Sequence, residues 1–377
     1  LGFAQAEVYD ASRLSNPSLG YLQLSPGNGG GAQKSWSLTQ NFTELLFIGY
    51  RTRVGKAGLL QAQQQVAHAV MRLETDVRAA YYQHIGTKLS AATRLNAATA
   101  ANLSAELAAR FHAAGNISAL QLSREQAAAG VATIAQRHAQ TVATAARGAL
   151  FTAIGLPLSR TDLKFAEDFP LPVAITLTVE DLQAQALRQR LDLLAMRTAI
   201  GLRRDQLVHM RRWHWLGGLA VTAERETELD GAVIRGGGAS VDVPVFNAGR
   251  GSVLRAQSSQ ESAQASLVAQ ELRVANDIEV LFAAVEAARV TVDDYRKRLV
   301  PLRERIVALS QQQQNYMLIG AFEVLAARRE ESEVQESHID AVRDYWIAYT
   351  RLNGEVGGTL SGAADPVGAA TESGGAK

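Results

Sequence analysis

The sequence predicts a mainly α chain with a small β part, built as two internal repeats of helix, strand, strand, long helix and helix. Three observations predict it. Residues 51–122 run for about seventy positions without a proline, with apolar residues at helical spacing and one break at Ala114-Gly115-Asn116-Ile117-Ser118. Ahead of each long helix, a stretch alternates apolar and polar residues beside aromatic ones. The landmarks of the first half recur in the second at nearly one offset. Asp76-Val77-Arg78-Ala79-Ala80-Tyr81 aligns with Asp277-Ile278-Glu279-Val280-Leu281-Phe282 at 201, Gly49 with Gly249 at 200, and Gly115-Asn116-Ile117 with Gly320-Ala321-Phe322 at 205.

Taken in order, residues 1–14 fit a helix end, stopped by Ser15-Asn16-Pro17. Residues 18–25 read as a short strand and 26–31, rich in glycine, as a loop. Residues 35–42 alternate, with Trp36, Leu38 and Phe42 against Ser37, Thr39 and Asn41, which predicts a half-buried strand. A bend at Ile48-Gly49-Tyr50 leads into the first arm, roughly 95 Å of helix from Arg51 to Gly115. A second helix covers 117–154 and stops at Gly155-Leu156-Pro157. Residues 156–175 form an extended connector, and 178–187 a short helix capped by Thr178 and Asp181. Helix continues over 188–212.

Trp213, Trp215, Leu219 and Val221 predict a strand over 213–221. Loops are expected at 224–230 and 236–238, and a second strand over 239–246. The second arm, 251–319, is roughly 100 Å long; Gly320 breaks it, and a last helix runs over 322–356. That last helix covers about half of its partner, and the helix at 188–212 nearly covers the rest. By the same comparison, residues 1–14 fall about ten helical residues short, which predicts further helix ahead of Leu1. The N-terminus reads as mid-helix rather than a signal peptide.

The expected domains are therefore repeat 1 at 1–155, with a β-hairpin at 18–46 and a long helical hairpin at 51–154; a connector and short helix at 156–187; repeat 2 at 188–360, with a β-hairpin at 213–246 and a helical hairpin at 251–356; and a disordered Gly/Ala/Ser-rich tail at 361–377. Four strands per chain cannot close a barrel, so closure requires several chains.

Composition narrows function. A formal net charge of +1 among 377 residues, with bases interleaved among acids, argues against a nucleic-acid surface. The absence of cysteine excludes disulfides, a thiol nucleophile and thiolate metal sites. No apolar run is long enough for a transmembrane helix, while barrel strands would leave only a weak alternating signal. No GxSxG, P-loop or GxGxxG element is present, so no catalytic residue or cofactor is expected. The seven histidines form no i,i+4 pair, which argues against a stable metal site. Glu224, Glu226, Glu228 and Asp230 read as a solvated loop, or less readily as a divalent-cation cluster. Gln311 to Gln314 form an uncharged polar run beside the second break.

Several segments in this order resemble the TolC-type outer-membrane efflux channels: Ser15-Asn16-Pro17-Ser18-Leu19, Ser37-Leu38-Thr39-Gln40-Asn41-Phe42 leading to Gly49, Arg110-Phe111-His112-Ala113-Ala114-Gly115-Asn116-Ile117-Ser118, Pro244-Val245-Phe246-Asn247-Ala248-Gly249-Arg250, and Tyr316-Met317-Leu318-Ile319-Gly320-Ala321-Phe322. The resemblance covers the chain apart from the tail and leans to the CusC and CzcC kind of metal-efflux member. It implies a homotrimer in which a twelve-stranded β-barrel in outer-membrane lipid continues as a twelve-helix α-barrel through the periplasm. It also implies no catalysis, and docking with a periplasmic adaptor and an inner-membrane pump.

On that reading the helix breaks are tunnel tips, contacted by the adaptor through Arg110, Phe111, Gly115, Ile117, Leu120, Tyr316, Gly320, Phe322, Val324 and Leu325; otherwise they are plain helical hairpins. Both glycines are expected to supply positive φ. Arg110, Arg124, Glu125, Glu323 and Arg328 are candidates for the contacts that hold the tip closed. Trp36, Trp213, Trp215 and Phe246 are candidates for membrane-interface aromatics, against a reading as core aromatics. The rival function is a periplasmic coiled-coil structural or adaptor protein without a pore.

Overall fold

A computed structural model describes residues 1–358 except 26, 28–30, 161–162, 164, 166–167, 244–245 and 247. The tail at 361–377, most of the first glycine loop, and Pro244, Val245 and Asn247 of the second approach segment lie outside the described residues.

The elements in order are α1 (Gly2–Ala11), β1 (Ser18–Leu24), β2 (Gln33–Asn41), α2 (Thr43–Ala113), α3 (Ala119–Ile154), α4 (Val179–Gln189), α5 (Leu191–Trp213), β3 (Gly218–Thr227), β4 (Val233–Asp242), α6 (Arg250–Asp294), a π-helical turn (Tyr295–Leu299), α7 (Val300–Asn315) and α8 (Ala321–Val356). They form two units, Leu1–Ala69 with Leu191–Arg273, and Val70–Arg190 with the chain from Val274 onward. Both α2 and α6 contribute to each unit.

The first unit carries one antiparallel sheet in the order β1-β2-β3-β4. Among the described residues, β1 and β4 are edges without a further partner. Helices flank it. Against α1, α2 presents Gly55, whose added Cβ would lie 3.2 Å from Val8 Cα, and Thr52, whose hydroxyl donates to the Ala11 carbonyl at 3.3 Å. Against α6, α5 places Arg197 2.7 Å from Glu271, and Arg203 Nε donates to Ser259 at 3.1 Å.

The second unit is helical. Its core gathers Val274, Ile278, Val285 and Val292 from one face of α6 with Tyr82, Leu182, Ala186, Val342, Tyr345, Trp346 and Leu352. The four α6 residues recur at near-heptad spacing, the pattern of a long packing seam. The extended connector is pinned to this core: Trp346 Nε1 donates to the Pro170 carbonyl at 2.9 Å, and the Tyr345 hydroxyl bridges the N–H and C=O of Val173. Nearer the helix turns the packing residues are small. Ala98, Ala101, Ser104 and Ala108 are buried on α2, and small side chains allow close helix approach. The expected α4 start is present, since Thr178 and Asp181 form a reciprocal capping box.

Several expectations are corrected. Residues 48–50 do not bend; they lie within α2, which starts at Thr43. Helix ends at Gln189 and restarts at Leu191, because Arg190 adopts extended backbone and sends its guanidinium to the carbonyl and carboxylate of Glu355. Trp213 closes α5 and Trp215 lies in the following turn, so β3 starts only at Gly218 and continues through Glu224 and Glu226. Gly236–Gly238 is strand, not loop. The hairpin instead turns at Asp230-Gly231, where Gly231 takes φ +87. The second arm is not one uniform α-helix. Pro301 lacks an N–H and its ring crowds the carbonyl four residues back, and the π-helical turn Tyr295–Leu299 precedes it. That arm ends at Asn315, not Ile319.

Candidate functional site

Two features stand out: the faces of the sheet and the two interhelical turns. Side chains alternate across a strand, so the register sorts every strand residue onto one of two faces. Tyr21 pairs with Trp36, Trp36 with Arg225 and Arg225 with Arg235. The face they share also carries Leu19, Leu38, Leu219, Val221, Ala223, Ala239 and Val241. The opposite face carries Ser18, Gly20, Ser35, Ser37, Thr39, Thr222, Glu224, Glu226, Gly236, Gly238, Ser240 and Asp242, with Leu22, Leu24 and Ile234 as apolar exceptions towards the loops.

In the central strands the apolar face is the more exposed one, while the edge strands β1 and β4 are exposed on both faces. Trp36 and Leu38 are each 48% exposed, whereas Ser35, Ser37 and Thr39 between them are half-buried. This inverts the expected half-buried apolar face. Polar contacts lie on the other face instead: Thr39 and Thr222 hydroxyls are 3.0 Å apart, and Gln33 donates to Glu226. Apolar-out and polar-in alternation is the pattern of a lipid-facing barrel wall, not of a water-soluble sheet.

The four interface candidates occupy both ends of the strands. Trp36 lies towards the loop end, its ring 4.6 Å from that of Tyr21. Trp213 and Trp215 stack at 6.1 Å at the helix end, with Phe47 edge-on to Trp213 at 5.3 Å. Phe246, just beyond β4, is fully exposed. Strand β3, with ten residues, has the length that crosses a bilayer at a barrel tilt of about 45°. At the helix end Gly249 takes φ +63, and a Cβ there would collide with the His214 carbonyl.

The two helix turns share one hydrogen-bond pattern. In the first, Asn116 N–H donates to the Phe111 carbonyl at 2.8 Å and Gly115 N–H to His112 at 2.9 Å; Gly115 has φ +77. In the second, Leu318 N–H donates to Gln313 at 3.0 Å and Met317 N–H to Gln314 at 2.8 Å; Met317 has φ +61. Both are Schellman closures. The geometric partner of Gly115 is therefore Met317, not Gly320. Gly320, with φ −82, is the N-cap of α8 and answers to Ser118, the N-cap of α3. Met317 follows Gly115 by 202 positions, and Gly320 follows Ser118 by the same 202. The left-handed C-caps Gly155 and Gly357 also stand 202 apart.

The turns lie side by side, with the Phe111 and Phe322 rings edge-to-face at 6.0 Å. Tyr316, Met317, Leu318 and Leu120 are strongly exposed, Met317 at 93%. Ile117, Phe322 and Leu325 are half-buried. Val324, at 7%, is buried and supports the turn from within.

The five gate candidates separate. Arg110 pairs with Glu106 on its own helix, and Arg328 with Glu331 at 2.9 Å. Arg124 and Glu323 are exposed. Glu125 is only 4% exposed: it accepts from Ser104 of α2 at 2.8 Å and from Gln121 at 3.0 Å, and lies 3.6 Å from Arg329 of α8. It ties three helices of one chain together. Ser104 and Arg329, and the α7–α8 pair Arg303 and Glu330, were not picked out by sequence. Their signal is weak, because charges recur along every face of these helices. Among the described residues no group of carboxylates and histidines is arranged to hold a metal.

No protein-family model and no curated protein sequence matches the chain. Solved structures do. The CmeC outer membrane channel of Campylobacter jejuni superposes with a TM-score of 0.75 at 13% identity, over 98% of this chain and 84% of CmeC. The outer membrane protein VceC of Vibrio cholerae gives 0.73 at 15%, over 96% and 90%. CusC gives 0.71 at 14%, over 95% and 87%. The chain thus has the fold of the outer-membrane channels. CusC is no more similar than the others, so the likeness does not favour the metal-efflux kind.

Proposed function

We propose that this chain is the outer-membrane channel component of a tripartite efflux system, a passive homotrimeric duct. The observation that carries the reading is the inverted sheet: an exposed apolar face bounded by aromatic residues, and a face of Ser, Thr, Gly and Glu behind it. Three such sheets joined at their free β1 and β4 edges make a twelve-stranded barrel with lipid outside and water within. Helices of the three chains continue it as an α-barrel through the periplasm of a Gram-negative cell. The channel needs no catalytic group or cofactor.

The exposed turn residues Tyr316, Met317, Leu318, Leu120, Phe111 and Arg110 are the surface offered to a periplasmic adaptor, which couples the duct to an inner-membrane pump. Glu224 and Glu226 face the lumen, and as a ring of carboxylates they favour cations. Glu125 with Arg329 and Ser104 fixes the helix pairs near the tip, while Arg124 and Glu323, exposed, are free to reach a neighbouring chain and hold the tip closed.

The test is purification from the outer-membrane fraction, native mass spectrometry, and conductance in planar bilayers. A trimer that conducts, and that conducts more after Arg124→Ala with Glu323→Ala, supports the reading. A soluble, non-conducting monomer or dimer overturns it in favour of a poreless coiled-coil protein.

A further inference from the structure

The sheet sorts its charges by face without exception among the described strand residues. Lys34, Arg225 and Arg235 share the apolar, exposed face; Glu224, Glu226 and Asp242 share the other. Arg225 and Arg235 are direct cross-strand partners, so their Cβ atoms are about 5 Å apart, and like charges so placed are destabilising. Lys34 sits on the diagonal, paired with Thr227, two positions from Arg225. All three are exposed. No described carboxylate pairs with any of them, as the face sorting requires. The row runs on into Trp36 and Tyr21, and it lies one row in from the loop end of the sheet, away from the helices.

Two opposed guanidinium groups, a nearby ammonium and two amphipathic rings on a lipid-facing wall form a receptor for an anion held at a membrane interface. Arginine forks match phosphate oxygens two at a time, and tyrosine and tryptophan settle at headgroup level. We propose that Arg225, Arg235 and Lys34 bind the phosphate headgroup of a phosphorylated glycolipid in the outer leaflet, and that this bound anion relieves the Arg225–Arg235 repulsion. The inference rests on the channel reading, which sets this face towards lipid.

The experiment uses the full chain in detergent or nanodiscs, with native mass spectrometry and thermal melting. The probes are bisphosphorylated lipid A, its dephosphorylated form, and inorganic phosphate. Lipid A is expected to remain bound and to raise the melting temperature, while the dephosphorylated form does neither. Arg225→Gln with Arg235→Gln should weaken lipid A binding at least about tenfold. Arg225→Lys with Arg235→Lys keeps the charge without the fork and should fall between the parent and the Gln pair, and Glu224→Gln with Glu226→Gln on the opposite face should leave it unchanged. Stabilisation by inorganic phosphate equal to that by lipid A would assign the site to a free anion and overturn the proposal. Conductance is recorded on the same preparations. A conducting protein whose lipid A binding ignores either the phosphates or the Gln pair sinks this inference alone, and a chain with neither conductance nor lipid binding sinks both readings.

Discussion

Single side chains fix the connector and tune the helical unit to pH. Tyr345 is fully buried, and its hydroxyl donates to the Val173 carbonyl while accepting the Val173 N–H. Burial pushes its pKa up to about 12, so it stays a neutral donor across the working range. Tyr345→Phe leaves both backbone groups without that partner and should cost about 1–3 kcal/mol in urea unfolding; an unchanged midpoint would show that the connector relaxes freely. His84 is buried edge-on to Phe165, 5.2 Å between rings, and its Nδ1 has no hydrogen-bond partner. Burial first, then Lys88 and Arg147, hold its pKa below the usual 6.5. The unfolded chain therefore binds this proton more tightly. The stability from neutral His84 is complete above about pH 6.5 and is lost as pH falls through that value towards the lowered one. His84→Leu should flatten part of the fall in melting temperature between pH 7.5 and 5, leaving the shares due to His338, which burial and Arg296 shift the same way, and His209, which burial shifts the same way. Equal slopes in variant and parent would refute this assignment. Neither role was legible in the sequence, because burial of one histidine among seven depends on which helix faces meet.

Elements were legible where a period or a cap announced them, and not where small residues masked one. The long helices follow from apolar spacing over many turns, and Thr178 with Asp181 announces α4. Strand β4 was expected over 239–246 and in fact starts at Val233, because Gly236–Gly238 reads as a loop, although Asp230-Gly231, a strong hairpin dipeptide, marked the true turn. The second helix turn was mis-registered for a related reason: glycine was expected at the left-handed position, and Met317 holds it. This yields a paired prediction. Gly115→Ala should destabilise the first turn, and Met317→Gly should stabilise the second, each by roughly 0.5–1 kcal/mol. Effects of the same sign in melting experiments would count against the shared closure. The sheet supports a sharper contrast. Leu38 and Ser37 are neighbours on opposite faces. If the apolar face meets lipid, Leu38→Arg should cost about 2–4 kcal/mol in folding into bilayers, while Ser37→Arg should fold and instead alter ion selectivity. Comparable penalties for the two would remove the argument for a lipid-facing wall.

At the scale of the whole molecule, the described residues leave a sheet with two open edges and an exposed apolar face. Both are liabilities in water, since an unpaired edge is a template for further strands. Within one chain, β1 and β4 are the two edges of the same sheet, so joining β1 of one copy to β4 of the next is a head-to-tail contact. Such contacts either close into a ring or grow without limit, and the number of copies is not written in any motif; it depends on strand tilt and stagger between chains. The absence of cysteine allows a direct measurement, because introduced thiols are the only ones present. Leu22 on β1 and Ile234 on β4 lie on the polar face in one row of the sheet. With Leu22→Cys and Ile234→Cys in one chain, a short bis-maleimide applied to membranes should give denatured bands at two and three chain masses and none above. Each single variant offers a thiol on only one edge and should remain at one chain mass. A ladder continuing beyond three would mean an open assembly, and failure to pass one would mean that the edges are covered by something other than a second copy. A closed ring is the outcome in which both edge strands gain a partner, the apolar wall becomes continuous, and the polar faces enclose one water-filled lumen; bands that stop at three would set its size at three copies.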